Sequence, residues 1–304
     1  MIQRIMGIYK KFFAVLSAAI LICSGATAEE GDEKPSELRA DEVEYDMNTG
    51  VAKAKGNVQA TAEKDKVPSE LNADEVNYDM NSGIITATGN VLLKHGTGKA
   101  TGAKAMYNIK TMEAYLVENV IVVRDDMRIT CDSLRSNGQG HMEADGNVRG
   151  TQTVAPNEKY PNGDTRTFSG DHVDYYPDDK KHVVIPNGGI VTSDDGTFTA
   201  DHMEGWMDEE HYIGVGNAHA VSPPRQMEAG GDRVDYFGKE QGKAVLTGNA
   251  WAIQENNTIR GNRLTVYLAD DKKVKVKPEE NKPAEEPTTD KPFEGSGQET
   301  ADSE

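Results

Sequence analysis

The chain has 304 residues, with 33 Lys plus Arg against 51 Asp plus Glu and seven His, for a formal net charge of −18. That sign and size exclude nucleic acid as a partner, because such binding rests on basic side chains that neutralise phosphates. At 36% hydrophobic residues, 6% aromatics and 30 Gly the chain is polar and turn-rich, so it folds only if its apolar residues follow a regular period.

In residues 1–28, Arg4, Lys10 and Lys11 precede the apolar run Phe12 to Cys23, and Ala26-Thr27-Ala28 ends the segment on small side chains. No acidic residue occurs before Glu29, which completes the pattern of a cleavable signal peptide. Ile22 stands before Cys23 where an acylation site wants a small residue, and the run is short of the ~20 residues a membrane span needs. Cleavage takes the charge from −18 to −21 and leaves Cys131 without a cysteine partner, so backbone pairing and core packing must hold the fold.

The central part carries an internal repeat. The window from Pro35 to Val58 matches that from Pro68 to Val91 at 17 of 24 positions. Anchored on the Asp of Ala-Asp-x-Val, further copies follow Asp41 and Asp74 at Ala103, Asp132, Asp171, Asp201, Asp232 and Asn262, at spacings of 33, 29, 29, 39, 30, 31 and 30. A second anchor keeps the same register: Gly56-Asn57, Glu118-Asn119, Gly146-Asn147, Gly216-Asn217 and Gly248-Asn249.

Within a unit the pattern has period two, with Asp41, Val43 and Tyr45 on one side of an extended segment and Glu42 and Glu44 on the other. Turns such as Asp46 to Gly50, Asp79 to Gly83 and Gly238 to Gly242 follow, and the return strand puts Ala52 and Ala54 inward with Lys53 and Lys55 in water. Gly56-Asn57 then bends or bulges the chain before Val58 resumes the inward face. Eight units predict an all-β fold of about 16–24 short strands: an elongated β-jelly roll, or two-layer antiparallel repeat sandwich, over 36–277, as one roll or as two split near 150–168. At eight to twelve strands per sheet and about 4.8 Å spacing, the body is about 40–60 Å long. Beyond it, 278–304 holds four of the twelve prolines, nine acidic residues and one large apolar side chain, Phe293, which is the composition of a disordered acidic tail.

The repeat resembles the periplasmic lipopolysaccharide-transport proteins of the LptA/OstA type, whose domain also occurs in LptC and at the periplasmic end of LptD. The motifs are Ala-Asp-x-Val-x-Tyr at 40–45 and 73–78, Gly-Asp-Arg-Val-Asp-Tyr at 231–236, Leu246-Thr-Gly-Asn-Ala-Trp251 and Gly-Asn-Arg-Leu-Thr-Val-Tyr at 261–267. Eight units exceed what a typical LptA carries. The resemblance implies an open-sided jelly roll in the periplasm that holds the acyl chains of lipopolysaccharide. It also implies LptC-like inner-membrane and LptD-like outer-membrane partners and head-to-tail self-association, with no cofactor.

The candidate lipid track is the inward face: Val43, Tyr45, Val58, Val76, Tyr78, Ile85, Val91 and Leu93 in the first half, then Leu116, Val120, Val173, Tyr175, Val234, Tyr236, Leu246 and Leu264. The same residues also suit a closed core, and a structural or adhesive surface β-solenoid without lipid is the alternative function. Small residues such as Ala54, Ala87, Gly214, Ala250 and Ala252 favour a partly hollow interior. An enzyme is not expected, because the seven His are scattered with no zinc spacing, and neither a nucleophile elbow nor a phosphate loop occurs. His172 and His202, each following an anchor Asp, read as solvent-facing strand residues, and Cys131 as a buried small residue.

Overall fold

The computed structural model describes residues 36–64, 67–137, 140–158, 160–238, 241–268 and 274–278. The expected signal peptide and the tail beyond 278 lie outside these residues. The strands of the first half are β1 Glu37–Arg39, β2 Glu42–Asp46, β3 Val51–Lys64, β4 Val67–Asp79, β5 Ile84–His95, β6 Gly98–Asn108, β7 Ala114–Arg124, β8 Met127–Ser136 and β9 Met142–Val154. The second half adds β10 Asp164–Tyr176, β11 His182–Ile185, β12 Gly189–Ser193, β13 Gly196–Ala200, β14 His202–Trp206, β15 His211–Ser222, β16 Met227–Phe237, β17 Lys243–Gln254, β18 Asn257–Leu268 and β19 Val274–Pro278. A single 3-10 turn, Pro223–Arg225, interrupts the described strands.

All nineteen strands join one antiparallel sheet, and each long strand pairs with its neighbours in sequence. The all-β expectation and the strand number therefore hold. The expected short strands are mostly fused, however, because the two extended segments on either side of an anchor run on as one strand of 10–14 residues. At three places the break is complete: β1 and β2 both pair with β3, β11 and β12 both with β10, and β13 and β14 both with β15. Each pair acts as one bent strand, which leaves sixteen strand positions along the sheet. Leu38 on β1 and Val43 on β2 line one depression together with Ala54 and Tyr78, so the two arms of a bent strand face each other. Because every strand contributes an arm to both layers, sixteen positions at about 4.8 Å make a body of about 70 Å, longer than the 40–60 Å expected from dividing the strands between layers.

The bend is built from the two repeat anchors. Opposite most anchor positions the preceding strand inserts two residues against one, as between Lys55 and Val58, which pair with Glu75 and Ala73 on either side of Asp74. Both inserted residues take positive φ: Gly56 at 73° and Asn57 at 48°, Gly89 at 74° and Asn90 at 49°, with the same pair at 146–147, 216–217 and 248–249. The Asn side-chain amide donates to the anchor carboxylate 15–17 residues earlier: Asn57 to Asp41 at 2.9 Å, Asn90 to Asp74 at 3.0 Å, Asn147 to Asp132 at 3.0 Å, Asn217 to Asp201 at 2.7 Å and Asn249 to Asp232 at 3.0 Å. Glycine precedes Asn because that carboxylate lies on it; a Cβ at Gly89 would stand 2.1 Å from Asp74 Oδ2, and at Gly56 2.3 Å from Asp41 Oδ2. The third unit shows the rule by its exception. Its anchor is Ala103, and there Glu118 occupies the glycine position at φ 64°.

At the outer end of the arms, Asp46 Oδ1 accepts from the backbone N–H of Asn48 at 2.8 Å and Thr49 at 3.3 Å, and Asp79 repeats this with Asn81 and Ser82. Successive turns also bond to one another, Met80 N–H to Gly50 O at 3.0 Å and Ile109 N–H to Gly83 O at 2.9 Å. The turns thus propagate the strand stacking.

Candidate functional site

The inward faces of the strands form one apolar row. Val58, Val91, Leu93, Ile85, Leu116, Val120, Leu246 and Leu264 are at most 1% exposed, and Val76, Tyr78, Val173 and Val234 are buried as well. Tyr175 and Tyr236 point the same way but are half-buried, and Tyr236 stacks on Tyr212 at 6.1 Å with burial pushing its phenol up to about 12. Val43 and Tyr45 stand apart at 55% and 48% exposure. Their equivalents one unit on, Val76 and Tyr78, are covered by β5, whereas β2 pairs with β3 alone and ends the row uncovered. Small residues do not hollow the interior at Ala54, Ala87, Ala250 or Ala252, which are all buried in contact with the continuous core. Glycines leave room that aromatic rings fill, as Phe198 does over Gly214 and Phe168 over Gly150. The row begins at a depression of about 290 Å³, its open mouth included, between Leu38, Val43, Ala52, Lys53, Ala54, Val76 and Tyr78. Cys131 is buried, as expected, with its thiol pushed up to about 12 by burial and then by Asp132.

The outward face of β9 to β17 carries an assembly that the scatter of histidines along the sequence does not suggest. His141, Tyr176, His182, Trp206, His211 and Phe237 stack in a continuous ladder with centroid distances of 4.3, 5.6, 4.4, 5.5 and 4.7 Å, and Lys243 closes it over Phe237 at 4.9 Å. A row of carboxylates runs beside it. His141 and His172 bond to opposite oxygens of Asp174 at 2.8 and 3.0 Å, and His182 and His202 to opposite oxygens of Glu204 at 3.1 and 2.8 Å. In the next unit Arg233 grips Asp235 with two bonds of 2.7 Å while His211 stays 3.6 Å away.

His172 and His202 do face outward, as expected, yet each is held by acids. The hydrogen bond that His172 donates to Asp145, ahead of the opposing effect of burial, raises the pKa of His172. The sequence signal for this ladder is the fifth residue after each anchor. In the early units it is a turn-capping Asp46, Asp79, Asn108 or Asn137, and later it becomes Tyr176, Trp206 or Phe237.

The pKa of Glu204 is lowered from 4.5, first by His202 and also by His182 against desolvation. Its contribution to stability is therefore complete above pH 4.5 and lost as pH falls through the lower folded value. Thermal unfolding between pH 3 and 6 is expected to show a smaller acid-side loss for Glu204→Gln than for the unaltered chain.

Residues 213–272 match a family model described as the LptA/(LptD N-terminal domain) LPS transport protein. Over this stretch the chain is similar to the LptA/LptD N-terminal domain. The match runs from β15 through β18 and takes in one complete corner, Asp232 with Gly248-Asn249, together with the Gly216-Asn217 step whose anchor Asp201 lies just before it. Three of the motifs carrying the resemblance lie inside it, at 231–236, 246–251 and 261–267. Among solved structures, LptH, the LptA homologous periplasmic component of the conserved lipopolysaccharide transport device from Pseudomonas aeruginosa, is 21% identical over 35% of this chain and 78% of its own, at a TM-score of 0.30. No curated protein matches the sequence. Among the described residues, no helix is long and apolar enough to cross a membrane.

Proposed function

We propose that the chain is a periplasmic lipopolysaccharide-binding transport protein, a segment of a bridge that passes the lipid from inner to outer membrane with its acyl chains against the inward face. The observation that carries this reading is the unbroken apolar row, which extends from the uncovered Val43 and Tyr45 to Leu264 in a chain whose residues 213–272 match the LptA/LptD family. The physical need is plain: at about 0.8 kcal/mol per CH₂, one long acyl chain resists leaving a bilayer by roughly 10 kcal/mol, so transit through water requires a sheltered track. The two arms of each strand are joined at the corner line alone. Spreading them admits a chain without breaking the pairing along either arm, and the depression at β1–β4 is where the row is already open. The terminal strands, β1 and β2 at one end and β18 and β19 at the other, supply edges for head-to-tail addition of a like domain or of LptC-like and LptD-like partners. Phosphates of the glycolipid stay in water beside an acidic surface, so contact is apolar and raised salt leaves binding intact.

The tight closure of the middle of the row favours the second reading, a surface solenoid without lipid. Photocrosslinkers at Val43, Tyr78 and Leu246 separate the two. Lipopolysaccharide adducts at these positions and none at Lys55 support transport, whereas equal labelling of both faces, or none, sinks it. Depletion of the protein is expected to stall lipopolysaccharide at the inner membrane.

A further inference from the structure

We infer that His141, Glu143, Asp174 and His172, on the outward face of β9 and β10, form a binding site for a borderline divalent transition ion of the Zn²⁺ class. His141, Glu143 and Asp174 each offer a ligand atom within 4.8 Å of the others. His141 Nε2 is 2.8 Å from Asp174 Oδ1, and its Nδ1 is 3.5 Å from Glu143 Oε1. These contacts use opposite nitrogens of the His141 ring, and one ion takes only one of them, so with Nε2 as the ligand Glu143 has to swing in from the Nδ1 side, closing from within 4.8 Å to the donor-to-donor edge of about 3.3 Å that bonds of about 2.0–2.1 Å set in a tetrahedron. The donor set of imidazole and carboxylate suits Zn²⁺ and its neighbours better than Mg²⁺ or Ca²⁺, which call for six or more oxygens.

Two further features distinguish this place from an ordinary acidic surface. The donors are held: the His141 ring stacks on Tyr176 at 4.3 Å and 3°, and its backbone N–H donates to Asn137 Oδ1 at 3.0 Å. His172 is oriented from behind, since Asp145 Oδ1 takes its Nδ1 at 2.5 Å and leaves Nε2 turned toward Asp174 Oδ2 at 3.0 Å. A carboxylate behind an imidazole that faces the site is the arrangement that fixes ring orientation and raises ligand basicity at metal centres. Arg135 lies 3.8 Å from the other oxygen of Glu143, which leaves Oε1 for the ion. Among the described residues the related positions in the next units do not close to the same extent. Glu204 has its two histidines and Asp179 stands 3.5 Å from His182 Nδ1, yet only the His141, Glu143 and Asp174 donors all come within 4.8 Å of one another, and Asp235 is already taken by Arg233.

Titration of the full chain with Zn²⁺ by calorimetry tests the inference. Saturation at one equivalent is expected, with Glu143→Gln and Asp174→Asn each weakening binding about tenfold or more and Asp145→Asn, which touches only the back of His172, weakening it about 10–100-fold. His202→Ala and His219→Ala, outside the site, are expected to bind as the unaltered chain does. Co²⁺ loading is expected to give the intense visible absorption of a tetrahedral site, and circular dichroism confirms that each variant is folded. The inference is overturned if the unaltered chain binds no Zn²⁺, if folded Glu143→Gln and Asp174→Asn bind it undiminished, or if His202→Ala abolishes binding while those two do not.

Discussion

Replacing Gly89 with Ala is expected to destabilise the protein by about 2–4 kcal/mol, far more than glycine-to-alanine exchange at an ordinary turn. The new methyl would sit 2.1 Å from Asp74 Oδ2 at a backbone φ of 74°. Asp74 would have to swing away and give up its bond from Asn90, so left-handed strain and a lost hydrogen bond add to the steric conflict. Two comparisons isolate the cause. Gly188 has a similar φ of 88° with nothing near its absent Cβ, so Gly188→Ala measures the backbone strain alone. Asp74→Ala combined with Gly89→Ala removes the conflict and recreates the pairing already present between Ala103 and Glu118, and the double variant is expected to be more stable than the sum of the singles predicts. Urea midpoints at constant m would check this. A Gly89→Ala loss no larger than that of Gly188→Ala would refute the corner mechanism.

That corner also explains why so much of the fold was readable in advance. A repeat writes the same physical instruction many times, and the period-two alternation of Val43, Tyr45, Ala52 and Ala54 needs only one register to place every inward residue. What the pattern left unread is the coupling between units. Asp41 and Gly56-Asn57 were visible as two anchors, but their hydrogen bond depends on the geometry of a bulge across a strand pair, which no one-dimensional spacing expresses. The same limit applies to the outward ladder. His141, His182 and His211 come from different units and different positions in the repeat, and strand pairing alone brings them to the same edge as Tyr176, Trp206 and Phe237. Scattered histidines in sequence therefore became a continuous row in space. The body is longer than a strand count implies for a related reason: a bend inside each strand lets one strand serve both layers.

The core residues of the row offer the sharpest test of what the interior is for. Leu246 is 1% exposed between Val234 and Leu264 on its neighbouring strands, and Leu93 is 0% exposed between Leu71 and Ala100. Truncating either to Ala is expected to cost about 2–5 kcal/mol, from lost transfer free energy and the cavity left behind. Because each unit packs mainly on its two neighbours, the loss begins locally and is felt through adjacent interfaces. If acyl chains run along this face, the cavity of Leu246→Ala is one that part of an acyl chain can fill, regaining about 0.8 kcal/mol per CH₂. Lipopolysaccharide should then raise the melting temperature of Leu246→Ala by more than that of the unaltered chain. Gly89→Ala is the necessary control, similarly destabilised but with its core intact. A rise equal in both variants would mean that lipid merely favours any folded form, and no rise in either would place the apolar row as a closed core.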